Sequence, residues 1–332
     1  MHRLKYRSPH QRGRFHRDIF TNKQLTMMNR QMQGTLDQLS SELADLRTEH
    51  DRWLFGWPPG HFYSPIPALD QIRANEEQIF RFPDQLPGIE LNLQGQLRLL
   101  EQLSAFYDEQ PFAAQRQERL RYFFDNPNYS YGDAIVLHCM LRYLRPKRVI
   151  EIGSGYSSCV TLDTNELFLN NAVHCTFIEP YPELFLSLAK PEERDRLEII
   201  GRNLQDIDLG IFATLAAGDI LFIDSTHVAK IGSDVNYIFF EILPKLQKGV
   251  YIHIHDIYYP FEYPREWIYQ GRAWNEAYLL RTFLEYNDVF EIQLFNSFLD
   301  YKHHEALRRT LPLCAGRPGS GIWLKKMFAT PI

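Results

Sequence analysis

The fold is decided by Arg148–Ser158, RVIEIGSGYSS. Val149 to Ile152 is a short apolar run interrupted only by Glu151, and it breaks at once into Gly153-Ser154-Gly155. Such a run reads as a buried parallel strand, and glycines at its carboxyl end permit a sharp strand-to-helix turn and a close approach of backbone to ligand. A dinucleotide fingerprint asks for a third glycine at position 158, where this chain has Ser158, and the Gly-Lys-Ser/Thr ending of a phosphate loop is absent. A pyrophosphate-binding reading is weakened accordingly.

Working outward, the same grammar repeats. HCTFIEPYPELF (174–185) offers a strand over Cys175–Ile178 with Glu179 at its carboxyl end, where an acid can accept both hydroxyls of a ribose. LEIIGRNLQDI (197–207) supplies a third strand, Leu197–Ile200, followed by Asn203 and Asp206. DILFIDSTH (219–227) ends in Asp224 and His227, and GVYIHIHDIYYP (249–260) ends in His255 and Asp256. Five strand ends in succession predict one ligand-binding edge of a mostly parallel sheet. Alternation along Tyr251–His255 puts His253 and His255 on one strand face, with His253 read as an inward residue.

EIGSGYSS followed by FIEP, FIDSTH and YIHIHD resembles the class I S-adenosylmethionine-dependent methyltransferases, in particular a bacterial branch related to the macrocin and catechol O-methyltransferase groups. The resemblance runs from about Tyr122 to Lys326, roughly three fifths of the chain. It implies a doubly wound, seven-stranded α/β domain whose last two strands are Phe290–Phe295 and Gly321–Lys325. It also implies S-adenosylmethionine as cofactor, with Glu151, Gly153 and Gly155 around its methionine and ribose portions, Glu179 on the ribose hydroxyls, and Asn203 and Asp206 near adenine. The implied reaction is methyl transfer to an oxygen of a small-molecule acceptor, with nitrogen as the alternative acceptor atom and a non-catalytic cofactor-binding scaffold as the alternative role.

Asp224, His227, His255 and Asp256 stand on two strand ends that are neighbours in this fold type. Hard carboxylates with one or two imidazoles suit Mg²⁺, Mn²⁺ or Fe²⁺, with Asp224, His227 and Asp256 as the expected ligands. His227 or His255 could equally serve as a metal-free base, since an imidazole titrates near neutrality. Metal-dependent relatives usually carry an Asp-Asp or Asp-Asn pair where this chain has His255-Asp256. The residues leave metal-assisted catalysis, metal-free catalysis and plain hydrogen bonding open.

The remainder of the chain frames that domain. Met1–Arg17 holds six Arg or Lys and no acid, and 1–20 reads as a basic flexible tail. Residues 21–121 read as a helical and proline-aromatic region, and 122–332 as the methyltransferase-like domain with a lid around 257–276. Asn22–Trp53 predicts a helix with Leu36, Leu39, Leu43 and Leu46 on one face, suited to packing on its own domain or to pairing two copies. Phe55–Ile72, with four prolines, predicts an extended loop that either covers a ligand or wraps the core and buries Phe62 and Tyr63. Ser233–Gly249 predicts the helix before the fifth strand, and the lid offers Tyr263, Trp267, Arg272, Trp274 and Glu276 to an acceptor.

Composition excludes several classes. Thirty-six Lys and Arg against forty-one Asp and Glu, a net charge of -5, argue against a whole-surface nucleic-acid or anionic-membrane binder. Four scattered cysteines form neither a disulfide framework nor a zinc cluster. No run approaches the ~20 apolar residues of a membrane span, and no secretory signal is apparent, so a cytoplasmic location without membrane or nucleic-acid partner is expected, with homodimerisation compatible.

Overall fold

Val149, Ile150, Glu151 and Ile152 are all buried, as the apolar run requires of a strand covered on both faces. In the computed structural model, which describes residues 9–53, 57–83 and 85–329, this strand is β1 (Arg148–Ile152), at the centre of a seven-stranded sheet. The others are β2 (His174–Ile178), β3 (Glu198–Ile200), β4 (Ile220–Ile223), β5 (Tyr251–His255), β6 (Phe290–Phe295) and β7 (Gly321–Lys326). Their order is β3-β2-β1-β4-β5-β7-β6. β1 to β5 run parallel, whereas β7 is antiparallel to both its neighbours, β5 and β6. This is the doubly wound class I methyltransferase sheet that the sequence implies.

The chain forms two compact units, up to Ala74 and from Asn75 onward. The first contains α1 (Pro9–Trp53) and α2 (Leu69–Ala74). The second contains the sheet and α3 (Glu76–Ile79), α4 (Leu93–Ser104), α5 (Tyr131–Leu144), α6 (Tyr156–Phe168), α7 (Glu183–Leu188), α8 (Asp234–Tyr237), α9 (Arg265–Tyr269), α10 (Glu276–Leu284) and α11 (Asn296–Thr310). No helix among the described residues is long and apolar enough to cross a membrane.

Three local expectations change. The first helix starts at Pro9, inside the stretch read as a tail; residues 1–8 of that tail, and Phe55 and Gly56 of the aromatic loop, lie outside the described residues. Phe62 and Tyr63 are exposed at 84% and 67% rather than buried, because the loop satisfies its rings locally. Trp57 stacks on His61 at 4.1 Å and Phe62 meets Tyr63 edge-on at 4.8 Å. Finally, the helix expected over Ser233–Gly249 holds one regular turn, α8, and then widens into a π turn over Ile238–Ile242 and a tight turn at Leu243–Lys245. Pro244 explains the change, since it has no N–H to continue the α ladder.

The approach to the sheet is fixed by charge as well as by apolar packing. Arg121 is only 4% exposed and its guanidinium reaches Asp163 at 2.7 Å, Glu166 at 2.8 Å and also Glu193. Asp163, on α6, additionally accepts the backbone N–H groups of Arg121 and Tyr122. Removing the cation would leave Asp163 buried without its countercharge, so Arg121→Met is expected to cost about 3–5 kcal/mol of stability, measured by urea unfolding of the full chain.

Candidate functional site

The sheet order reverses between β1 and β4, because the chain winds outward through β2 and β3, returns, and winds outward again through β5. Loops leaving β1 and β4 diverge at that point and open a crevice at the carboxyl edge. Gly153 sits at its floor with φ +79°, and a Cβ there would lie 2.0 Å from the carbonyl oxygen of Asp224. Only glycine tolerates both the dihedral and the contact. The crevice has a volume of about 350 Å³ and is lined by Gly153, Glu179, Tyr181, Asn203, Asp224, Thr226 and their neighbours.

Glu151 is fully buried and accepts Ser157 Oγ at 2.5 Å and Ser158 Oγ at 2.9 Å, both from the first turn of α6. Ser158 Oγ also accepts the Gly155 N–H at 3.0 Å. The residue that replaces the third glycine of a dinucleotide loop therefore closes this turn. Burial pushes the Glu151 carboxyl up to about 8, against the lowering effect of the two serine hydroxyls. Its Oε2 and Ser154 Oγ have no hydrogen-bond partner among the described residues.

Glu179, half-buried at the end of β2, is held by two backbone donors: Ser154 N–H at 3.1 Å and Tyr181 N–H at 2.8 Å. Both oxygens are thereby aimed while keeping lone pairs for hydroxyl donors. Asn203 lines the crevice, whereas exposed Asp206 does not and instead meets the Asn203 amide at 3.4 Å. A glycine cradle, an aimed carboxylate and two orphaned polar atoms at one sheet edge fit an adenosyl cofactor in chemistry.

On the other side of Asp224 a charged cluster converges. Ligand atoms of Asp224, His227 and Asp256 all lie within 4.8 Å of one another. His227 Nε2 is 3.3 Å from Asp224 and 3.6 Å from Asp256, while its Nδ1 is 2.9 Å from Glu276 Oε2. A carboxylate on Nδ1 orients the ring and leaves Nε2 for an ion, which is how metal-binding histidines are commonly supported. His227 and Asp256 both have positive φ, 60° and 56°. The amides opening α10 hold the backbone at His227, since the Asn275 and Glu276 N–H groups both donate to its carbonyl.

His255 is not a member of the three-residue group but its neighbour, 3.5 Å from Asp256 and 3.8 Å from Asp133. Ser320 donates its hydroxyl to Asp256 at 2.7 Å and its N–H to Asp133 at 2.8 Å. His253 is buried one pleat away, stacked on Phe222 at 4.4 Å, with neither ring nitrogen partnered among the described residues. In the lid, Trp274 lies over His227 at 4.3 Å, and the Arg272 guanidinium rests on Trp267 at 4.3 Å.

The electrostatics follow from this packing. Burial disfavours the His227 imidazolium, yet hydrogen bonds and charge from Asp224 and Glu276 outweigh it and carry the pKa from 6.5 up to about 10. Burial disfavours the Asp224 carboxylate too, but His255 and His227 hold its pKa below the ordinary value. His255 is raised, burial being overcome by Asp256, Asp224 and Asp133. Burial brings Asp133 up to about 6 against the lowering by His255 and the Ser320 amide.

Sequence reading missed three supporting residues. Glu276, offered by the lid to an acceptor, instead orients His227, and Asp133 and Ser320 carry no local sign of their place beside His255 and Asp256. No local pattern joins them to His227 or Asp256, because they arrive from distant segments.

Comparison with known proteins agrees with the geometry. Residues 150–257 match the Methyltransf_24 family, described as a methyltransferase domain. Together with the strand order, this match defines the class: the chain carries a class I S-adenosylmethionine-dependent methyltransferase domain. It belongs to the same family as an uncharacterized protein of Archaeoglobus fulgidus, 37% identical over 163 residues that cover 48% of this chain and 73% of that protein. Solved structures with a similar outline include the methyltransferase PaMTH1 of Podospora anserina bound to S-adenosylhomocysteine (12% identity, 78% of this chain and 95% of that one, TM-score 0.38). Others are the O-methyltransferase TomG of Streptomyces achromogenes with S-adenosylmethionine (14%, 78% and 96%, TM-score 0.36) and cmcI-D160 Mg-SAM (16%, 79% and 96%, TM-score 0.37).

The His227 ring can be followed by NMR titration of the cation-free protein. Its midpoint is expected near 10, and Glu276→Gln is expected to lower it by about 1–2 units, because one of the two carboxylates that favour the imidazolium is gone. A parent midpoint near the ordinary imidazole value would contradict the arrangement.

Proposed function

We propose that the protein transfers the methyl group of S-adenosylmethionine to an oxygen of a small-molecule acceptor, with a divalent cation held by Asp224, His227 and Asp256. The observation that carries this reading is the position of Asp224. Its backbone closes against Gly153 in the cofactor crevice, and its carboxylate belongs to the three-residue group that can hold an ion.

In this reading Glu179 takes the ribose hydroxyls, its carboxylate kept in place by the Ser154 and Tyr181 amides. Gly153 lets the cofactor approach the backbone. Asp224, Asp256 and His227 Nε2 supply two hard oxygens and one nitrogen, a donor set that suits Mg²⁺ or Mn²⁺ better than the two-histidine, one-carboxylate set of non-haem iron. A cation held there would supply Lewis acidity toward the acceptor oxygen and would lower the pKa of its hydroxyl. Glu276 fixes the His227 ring, Ser320 fixes Asp256, and His255 balances the charge of Asp256 and Asp133. Trp274 walls the acceptor side above His227.

The charge distribution also argues against His227 as a metal-free base. With its pKa raised to about 10, the imidazole already carries a proton at neutral pH and is not free to accept another. His255 is shifted in the same direction by its three carboxylate neighbours. To hold a cation, His227 would have to give up the proton that Asp224 and Glu276 favour, and Asp224 and Asp256 would then supply the carboxylate ligands.

Two measurements test the halves of the reading separately. In calorimetric titration with S-adenosylhomocysteine, Glu179→Ala is expected to weaken binding by about 10- to 100-fold, the loss of hydrogen bonds to a charged group. Absence of binding by the parent protein would overturn the cofactor assignment. Against a panel of small hydroxylated and amine acceptors, Asp256→Asn is expected to lower methyl transfer by about 10²-fold or more while leaving S-adenosylhomocysteine binding intact. Near-parent turnover of that variant, insensitive to chelators, would remove the cation from the mechanism, and product mass spectra identify the methylated atom.

A further inference from the structure

We propose that α1 pairs with α1 of a second copy of this chain in a parallel two-stranded coiled coil. From Lys23 to Thr48 every side chain of this helix is exposed, and its large apolar residues are not scattered. Leu25, Met32, Leu39 and Leu46 recur every seven residues, and Leu36 and Leu43 stand three before Leu39 and Leu46. With Leu36 and Leu43 at heptad position a and the other four at d, the register runs without interruption, and each of the six is 50–62% exposed. This is the narrow seam of two positions in seven that suits one partner helix, whereas a helix lying on a domain or a membrane surface presents a broader apolar face.

Two features choose the occupant. The same register places Asn29 at a. In a parallel pair it meets its own copy, and the two amides can bond to one another. In an antiparallel pair, or against a wholly apolar groove, it would be buried without a polar partner. Beside the seam, Glu42 falls at g and Arg47 at e. In a parallel dimer a g residue faces the e residue five positions further on the other helix, so Glu42 meets Arg47 of the partner subunit, and two-fold symmetry repeats the pair. The sequence is thus complementary to itself in charge, in polar pairing and in apolar register. Gly34 takes position f, away from the seam, where a missing side chain removes no contact, and Met27, exposed at 74%, shares that outer position.

Sedimentation equilibrium of the full chain over a wide concentration range tests the pairing. A dimer is expected, converted to monomer by the double variant Leu36→Glu/Leu43→Glu and retained by Met27→Glu, with the S-adenosylhomocysteine affinity of the parent kept in each. Glu42→Arg should weaken the dimer about tenfold, and adding Arg47→Glu in the same chain should restore it. Asn29→Cys should cross-link the parallel dimer on mild oxidation. A parent that stays monomeric at every concentration, a dimer indifferent to Leu36→Glu/Leu43→Glu, or a dimer that Asn29→Cys does not cross-link overturns the proposal. So does a monomer that sediments with phosphatidylserine vesicles, which would assign the seam to a membrane surface.

Discussion

At the end of β1 the backbone of Gly153 lies so close to the Asp224 carbonyl that a Cβ would sit 2.0 Å from that oxygen, and the functional edge of the molecule depends on this contact. It holds the end of β4 against the end of β1 at the point where the strand order reverses. The two departing loops must diverge from there, because one leads to α6 and the other toward α8. The crevice between them is a consequence of topology, and Gly153 is the residue that keeps its floor clear. Asp224 then divides its atoms between two tasks, closing the floor with its backbone and offering its carboxylate to the cluster beyond.

That cluster gathers Asp133, Asp224, Asp256 and Glu276 around two histidines in a largely buried setting. Carboxylates concentrated in this way are costly to keep ionised unless a cation or bound protons balance them. The raised pKa values of His227, His255 and Asp133 are the protein's own balance, achieved with protons. The positive φ values of His227 and Asp256 add backbone strain, of the order of 1–3 kcal/mol at each residue. The amides that open α10 hold the His227 carbonyl and the Ser320 hydroxyl holds the Asp256 carboxylate, both from segments that contribute no ligand themselves. Charge and strain are accumulated where the chemistry is proposed to occur, and restraint comes from residues outside it.

Much of this edge can be read along the chain. The apolar runs of β1, β2, β4 and β5 announce themselves because a parallel strand covered on both faces tolerates few polar residues. Glu179, Asp224, His227, His255 and Asp256 are then legible as polar residues placed directly after those runs. The register is equally readable in α1, since heptad spacing survives in sequence whether or not a partner is present. Harder to read are features set by competition between local options. Pro244 turns an expected helix into a π turn and a tight turn, and the aromatic loop stacks Trp57 on His61 instead of burying Phe62.

The sequence by itself determined the parallel strands, the glycine turn and the order in which acids and histidines reach the sheet edge, because each is a short-range matter of burial, dihedral freedom and alternation. Tertiary structure alone decided that His227 Nδ1 meets Glu276, that Asp133 and Ser320 reach His255 and Asp256, and that Asp206 stays outside the crevice that Asn203 lines. The physical reason is distance along the chain. A hydrogen bond between residues 49 positions apart leaves no periodic trace, and comes into being only when β4 and α10 are packed against one another.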